Sequence, residues 1–228
     1  MKIAVLGTGM VGRTLAARLA GLGHDVAVGT RDPGATLSHT GADGMGNPPF
    51  GQWQAENLAV SLRTFAVAAA DAELVVTATA GHGVLGALQA AGAENLAGKV
   101  LIDVTNPLDF SAGFPPTLFV SSTDSLGEQI QRAFPSARVV KTLNTVNCLV
   151  MVDPSRVPGE HSVFVAGEDA TAKDVARDLL GTFGWKDADV VDLGGIRAAR
   201  GTEMYLPLWL SLLQALGSGD FNINVVRA

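Results

Sequence analysis

One stretch restricts the fold more than any other. Gly7-Thr8-Gly9-Met10-Val11-Gly12 lies between a short apolar run and a helical repeat. Before it, Lys2-Ile3-Ala4-Val5-Leu6 is apolar without alternation, the pattern of a parallel strand buried on both faces. After it, Val11, Leu15, Leu19 and Leu22 recur at helical spacing, with Arg13 and Arg18 between them. A G-x-G-x-x-G set between a strand and a helix carries meaning that the bare motif lacks. Gly7 permits the tight turn, Gly9 lets backbone approach a pyrophosphate, and Gly12 lets the helix pack on the strand. The first amides of that helix and the positive end of its dipole then face phosphate oxygens.

The second half of the unit indicates which dinucleotide. Asp25-Val26-Ala27-Val28-Gly29 reads as the next strand, and the residue at its end meets the adenosine ribose. An NAD site puts an acid there to accept hydrogen bonds from the 2′-hydroxyl. This chain has Thr30-Arg31, a hydroxyl and a guanidinium, which suit the charge and acceptor oxygens of a 2′-phosphate. The expectation is NADP(H). Asp32 follows, beyond the strand, where it can cap a turn before Pro33. The bland alternative is a Rossmann-like unit that binds no nucleotide.

The rest of the chain alternates. Residues 32–52 are rich in Gly, Pro, Asp and Asn, including Gly44-Met45-Gly46-Asn47-Pro48-Pro49, and read as a long loop, either a surface excursion or a flap near the adenine. A short helix is expected over 50–58 with Trp53 and Leu58 inward, a strand over 60–62 and a helix over 64–70. Strands follow at 74–79, 100–104 and 138–141, and helices at 84–90 and from Leu126, where Ser125 and Glu128 have capping-box spacing. Ligand contacts in such a sheet fall at strand ends, which singles out Thr79, Ala80 and Asn106. His82 lies in the right loop but has no partner visible in sequence. Asn106 has an alternative role in the turn fixed by Pro107.

Short links between strands and helices predict an α/β fold, a Rossmann doubly wound parallel sheet over residues 1–150. Beyond Asp153-Pro154 the character changes, and a small C-terminal α/β domain over 151–228 is expected to cover the nicotinamide. It would hold strands at 161–166 and 190–193, a helix over 170–180 and a terminal strand over 221–226. It would also hold a long helix, capped by Thr202 and ending at Leu216, that is apolar nearly all round. Such a helix is buried on more than one side, which favours a homodimer over a helix wrapped by its own chain.

Composition narrows the class. With 228 residues, 27 glycines and a net charge of −6, and with no basic run, a compact α/β protein is expected and a nucleic-acid partner is not. The single Cys148 rules out an intrachain disulfide and a thiolate zinc cluster. A strand starting at Lys2 leaves no room for a signal peptide, and 204–216 is shorter than the ~20 residues of a membrane span. A cytoplasmic location is the expectation.

The glycine loop, Gly29-Thr30-Arg31, the strand ending Asn106-Pro107, Lys141-Thr142-Leu143-Asn144-Thr145 and the helix with Arg200-Gly201-Thr202-Glu203 together resemble the F420-dependent NADP oxidoreductase family. The resemblance covers most of the chain. It implies an N-terminal Rossmann domain, a small C-terminal domain and hydride transfer between NADPH and a stacked deazaflavin. By position it implies that Thr8, Gly9, Met10 and Val11 meet the pyrophosphate, that Thr30 and Arg31 hold the 2′-phosphate, and that Thr79, Ala80, Asn106 and Asn144 line the ribose and nicotinamide. The deazaflavin enzymes carry His-Thr where this chain has Asn144-Thr145, the form of the flavin-linked metalloreductase branch. The acceptor is therefore open among coenzyme F420, FMN and FAD.

Hydride transfer between stacked rings needs proximity, orientation and exclusion of water more than an acid–base pair. That fits a chain with no recognisable catalytic dyad and no metal-binding motif. Lys141 is the nearest candidate acid, with a structurally paired lysine as its alternative role. Three readings remain: a reductase of a flavin or deazaflavin, including a metalloreductase-like flavin or ferric reductase; a hydroxyacid- or imino-acid-type dehydrogenase; and a non-catalytic NADPH sensor or redox-regulated binding protein.

Overall fold

The computed structural model describes residues 1–43 and 46–226. Its strands are β1 (Lys2–Leu6), β2 (Asp25–Thr30), β3 (Val60–Thr64), β4 (Leu74–Thr77), β5 (Val100–Asp103), β6 (Leu108–Asp109), β7 (Thr117–Leu118), β8 (Arg138–Thr142), β9 (Val163–Ala166) and β10 (Val190–Asp192). Its helices are α1 (Met10–Gly21), α2 (Pro33–Ser38), α3 (Phe50–Glu56), α4 (Phe65–Asp71), α5 (Val84–Ala91), α6 (Ala93–Leu96), α7 (Leu126–Ala133), α8 (Cys148–Val152), α9 (Ala170–Phe183), α10 (Ala199–Met204) and α11 (Leu206–Leu216).

Eight strands form one sheet in the order β10-β9-β8-β5-β4-β1-β2-β3. From β3 to β8 the neighbours are parallel, and the order reverses beside β1, the doubly wound arrangement that opens a crevice at the strand ends. β9 runs antiparallel to β8, and β10 parallel to β9. The C-terminal strands thus extend the same sheet. β6 and β7 make a separate small hairpin.

The unbroken apolar strands have a direct cause. Ile3 and Val5 of β1 face a core with Leu15, Leu19, Val76 and Ile102, while Ala4 and Leu6 face a second core with Phe65, Val75, Leu88 and Leu101. Both faces are covered, so both phases of the period-two pattern must be apolar. Helices α1, α8 and α9 contribute to the first core. Helices α4, α5 and α7, with Ile196 and Ala199, contribute to the second.

Local expectations meet five differences. The 32–52 segment is not all loop, because Asp32 caps α2 by accepting from the Ala35 amide at 3.0 Å, with Pro33 in its first turn. Gly44 and Met45 of that segment lie outside the described residues. Leu58 is 86% exposed, beyond the end of α3, while Trp53 packs on the core.

The long C-terminal helix is two, parted at Tyr205, since Pro207 has no amide to continue the ladder. Thr202 caps neither helix; its hydroxyl donates to the Ala199 carbonyl within α10. Residues 221–226 form no strand. The Ser162 amide donates to the Ile223 carbonyl, but the neighbouring contacts run through side chains, with the Val225 amide donating to Ser162 Oγ, so no ladder develops. Among the described residues no helix is long and apolar enough to cross a membrane.

Candidate active site

The glycine loop follows β1 and leads into α1, whose N-cap is Gly9, with no side chain capping the helix. Its first amides are thereby left for another acceptor. Gly7 has φ +132, and a Cβ there would stand 2.5 Å from the Ala78 carbonyl oxygen. A Cβ at Gly12 would strike the Gly7 carbonyl, whereas one at Gly9 would meet nothing within 4 Å. Two glycines are thus required by the protein itself, and the third faces open space. Met10 and Val11 pack partly on the core beside it.

Sequence reasoning assigned Arg13 no part in this loop. It is buried, donates from Nε to the Thr8 carbonyl at 2.7 Å and from its terminal nitrogen to the Pro48 carbonyl, and its guanidinium lies 5.4 Å from the centre of the Phe50 ring. Arg13 therefore ties the glycine loop to the segment before α3. Burial lowers its pKa, with Asp43 opposing. An arginine one turn into an apolar helix face was the signal available in sequence.

At the tip of β2, Thr30 is buried and Arg31 exposed. Thr36 of α2 donates its hydroxyl proton to the Asp32 carbonyl at 2.8 Å, so in the 2.8 Å contact between Thr30 Oγ1 and Thr36 Oγ1 the donor is Thr30. Thr30 thus turns its proton inward. Among the described residues Arg31 forms no ion pair, and it is the charge left to meet an anion here.

The ends of β4, β5 and β8 converge. After β4, Thr79 Oγ1 is buried without a partner and Ala80 is exposed; Gly81 packs so closely on Asn106 that a Cβ would strike the Asn106 carbonyl. Asn106 Nδ2 donates to the Asn144 carbonyl at 2.9 Å, and Asn144 Nδ2 donates to Asn106 Oδ1 at 3.0 Å. The two asparagines singled out in sequence form one reciprocal pair. Leu143, just before, is buried with φ +60, a conformation costing a non-glycine residue about 1–2 kcal/mol. Thr145 Oγ1 is buried without a partner.

Beneath the asparagines lies a buried ionic triad. Lys141 Nζ is 2.9 Å from Asp103 Oδ2 and 2.8 Å from Glu203 Oε1, and also donates to the Thr105 carbonyl. Asp103 Oδ1 accepts from the Thr105 amide at 2.9 Å and hydroxyl at 2.7 Å. Glu203 accepts from the Leu126 and Gly127 amides at 2.8 and 3.1 Å, at the start of α7. Burial alone would lower the Lys141 pKa; Asp103 and Glu203 outweigh it and hold it above the ordinary lysine value. Burial lifts Glu203 above the usual carboxylate range, with Lys141 opposing. Lys141 is closed off from solvent and fully committed, the structural role among its two alternatives.

His82 stacks on Phe119 with ring centres 3.9 Å apart and reaches Asp109 at 3.9 Å, on the exposed side of its turn. Beside Thr145 is an apolar cavity of about 250 Å³ lined by Thr145, Phe164, Leu193, Thr202, Tyr205 and Ile223. The Tyr205 hydroxyl is also buried without a partner. Phe164, Tyr205 and Ile223 were not singled out in sequence, because three separate segments bring them together.

The sheet order, the glycine loop and the converging strand ends define a Rossmann-type dinucleotide fold. Residues 2–107 match the family model described as NADP oxidoreductase, coenzyme F420-dependent. An F420-dependent NADP reductase from Methanothermobacter marburgensis is 32% identical over 219 residues, covering 93% of this chain and 92% of the relative. The chain belongs to this family of NADP-linked oxidoreductases. A crystal structure from Arthrobacter sp. fb24, described as a candidate F420-dependent NADP reductase, is 59% identical over the full length of both chains with a TM-score of 0.93. Metalloreductase STEAP3 from Rattus norvegicus is 28% identical over 95% of this chain, which spans 39% of that longer protein.

Proposed function

We propose that this oxidoreductase transfers a hydride between NADP(H) and a flavin or deazaflavin ring. The observation that carries the proposal is the open apolar hollow lined by Thr145 and Tyr205, whose hydroxyls are buried without partners, Thr145 following directly on Asn144 of the reciprocal asparagine pair. A largely apolar hollow with a few convergent polar groups suits a flat aromatic ring.

The residues present fit NADP(H). Gly9 opens on free space at uncapped helix amides, Arg31 forms no ion pair among the described residues, and Thr79 Oγ1 is a buried hydroxyl without a partner. Gly7, Thr8, Gly9, Met10, Val11 and Gly12 would hold the pyrophosphate, and the end of β2 at Thr30 and Arg31 would meet the 2′-phosphate, with the Arg31 guanidinium as the donor because the Thr30 proton is turned inward. Thr79, Ala80, Asn106 and Asn144 would line the ribose and nicotinamide. When bound, the cofactor supplies the hydride. The chain's own part is to orient and to dry the site. The asparagine pair presents fixed amide groups, and Phe164, Leu193 and Ile223 give an arriving ring an apolar surface to cover, which would displace water once the ring is seated. No side chain here is required to move a proton.

Asn144-Thr145 and the similarity to STEAP3 favour a flavin as acceptor; the Methanothermobacter marburgensis relative favours coenzyme F420. An anaerobic NADPH oxidation assay with coenzyme F420, FMN and FAD in parallel tests the proposal. Oxidation with at least one ring supports it. A stable NADPH complex oxidised by none of them overturns it in favour of the sensor reading.

Our proposal extends to assembly, location and division of labour. A second copy of the chain would cover Leu208 and Leu216, which α11 leaves 55% and 59% exposed. Sedimentation showing a monomer at micromolar concentration would remove that part. The protein would act in the cytoplasm, with residues 1–150 holding the dinucleotide and 151–228 covering the nicotinamide.

A further inference from the structure

Helix α10 is held from below by one carboxylate. Glu203 lies between Thr202 and Tyr205, both of which line the cavity. Its own carboxylate points the other way, accepting from the Leu126 and Gly127 amides and from Lys141 Nζ. Each of these partners is a donor, so the group is engaged as a carboxylate. Lys141 passes the contact on to the Thr105 carbonyl, and Thr105 precedes Asn106, whose side chain is locked to Asn144. A continuous line therefore runs from the cavity wall to the asparagine pair, through hydrogen bonds from Lys141 to Glu203 and from Lys141 to the Thr105 carbonyl, and then along the chain to Asn106.

A second ion pair provides a built-in contrast. Arg200, also on α10, grips Glu128 of α7 at 2.6 and 2.8 Å. That pair ties the same two helices together but does not reach Lys141. Among the described residues only Glu203 connects α10 both to α7 and, through Lys141, to the strand ends of β8 and β5.

We propose that Glu203, acting through Lys141, is a positioning residue that couples the cavity wall to the cofactor-binding asparagines, so that cofactor binding orders α10. Charge-assisted hydrogen bonds in a dry interior transmit displacement better than apolar packing, because each partner is held in direction as well as distance. The proposal rests on the cofactor placement given above.

Hydrogen–deuterium exchange on the full chain, with and without saturating NADPH, tests it. In the wild type, NADPH should slow exchange about fivefold or more both at the glycine loop and at residues 199–205. Glu203→Gln should keep the first protection and lose the second, with NADPH affinity within about threefold of wild type. Arg200→Gln should keep both. Should Glu203→Gln fail to fold, Glu203→Asp, which keeps the charge but withdraws it by one methylene, is read in the same way. Protection at 199–205 that survives in the Glu203 variants, is lost equally in Arg200→Gln, or is absent from wild type with NADPH bound overturns the coupling alone. Absence of NADPH binding overturns the coupling together with the cofactor reading.

Discussion

At the proposed adenosine end, Arg31 stands in solvent at the tip of β2 and forms no ion pair among the described residues. At the proposed nicotinamide end, Lys141 is closed off between Asp103 and Glu203, with every proton committed. The two cations answer different physical needs. An exposed, unengaged guanidinium costs the fold little and is available to an anion that arrives. A buried ammonium is tolerated only because both carboxylates and a carbonyl receive it, so removing it exposes the full cost of the charges left behind. Specificity for the cofactor is therefore expected to separate from stability along the length of one site.

The strongest way to break that contrast is Lys141→Met, which strands two buried carboxylates. It should destabilise the fold by about 3–5 kcal/mol in urea unfolding, and a loss below about 1 kcal/mol would mean the triad is not the closed unit described here. Gly7→Ala comes next. Its Cβ would meet the Ala78 carbonyl at a φ that L-residues rarely adopt, so the loop must shift, and NADPH affinity should fall by about 2–3 kcal/mol in a fluorescence titration. Arg31→Ala should weaken NADPH by about 1.5–2 kcal/mol and leave NADH unchanged, with unfolding unaltered. Equal losses for both nucleotides would place the reading of the 2′-phosphate elsewhere.

Two smaller effects sharpen the picture. Thr36→Ala frees the Thr30 proton and should change NADPH affinity by about 0.5–1 kcal/mol, less than Arg31→Ala, by the same titration. Away from the site, Asp124 is held at about 2, below its ordinary 3.8, chiefly by the hydrogen bonds from Arg132, with burial opposing. A depressed carboxylate stabilises the fold above its ordinary pKa and loses that contribution as pH falls through the folded value. On the order of 1 kcal/mol, after screening at this partly exposed pair, should disappear between roughly pH 5 and pH 2, and Asp124→Asn should remove that part of the acid dependence.

The same contrast explains what the sequence revealed. Gly7, Gly9 and Gly12 are neighbours in the chain, and Thr30-Arg31 ends a strand that starts only a few residues after α1, so local pattern was enough to find them. Asn106 stands out as a strand end and Asn144 through the family resemblance, but their mutual hydrogen bonds depend on β5 pairing with β8. Lys141 was noticed without its partners: Asp103 lies 38 residues away, and Glu203 reaches an amide 77 residues before it. No periodicity encodes such meetings.

The misread helix α2 has a different cause. Asp32-Pro33 is a helix start as well as a turn, and Gly-rich neighbours favoured the turn. The C-terminal residues 221–226 alternate like a strand but find side-chain partners around Ser162 instead of a free edge.

The central claim, an NADP-linked site read through the end of β2, is tested most directly by titrating the wild-type chain with NADPH and NADH under identical salt. NADPH should bind at least about tenfold more tightly, a difference of about 1.4 kcal/mol. Equal affinities would contradict it.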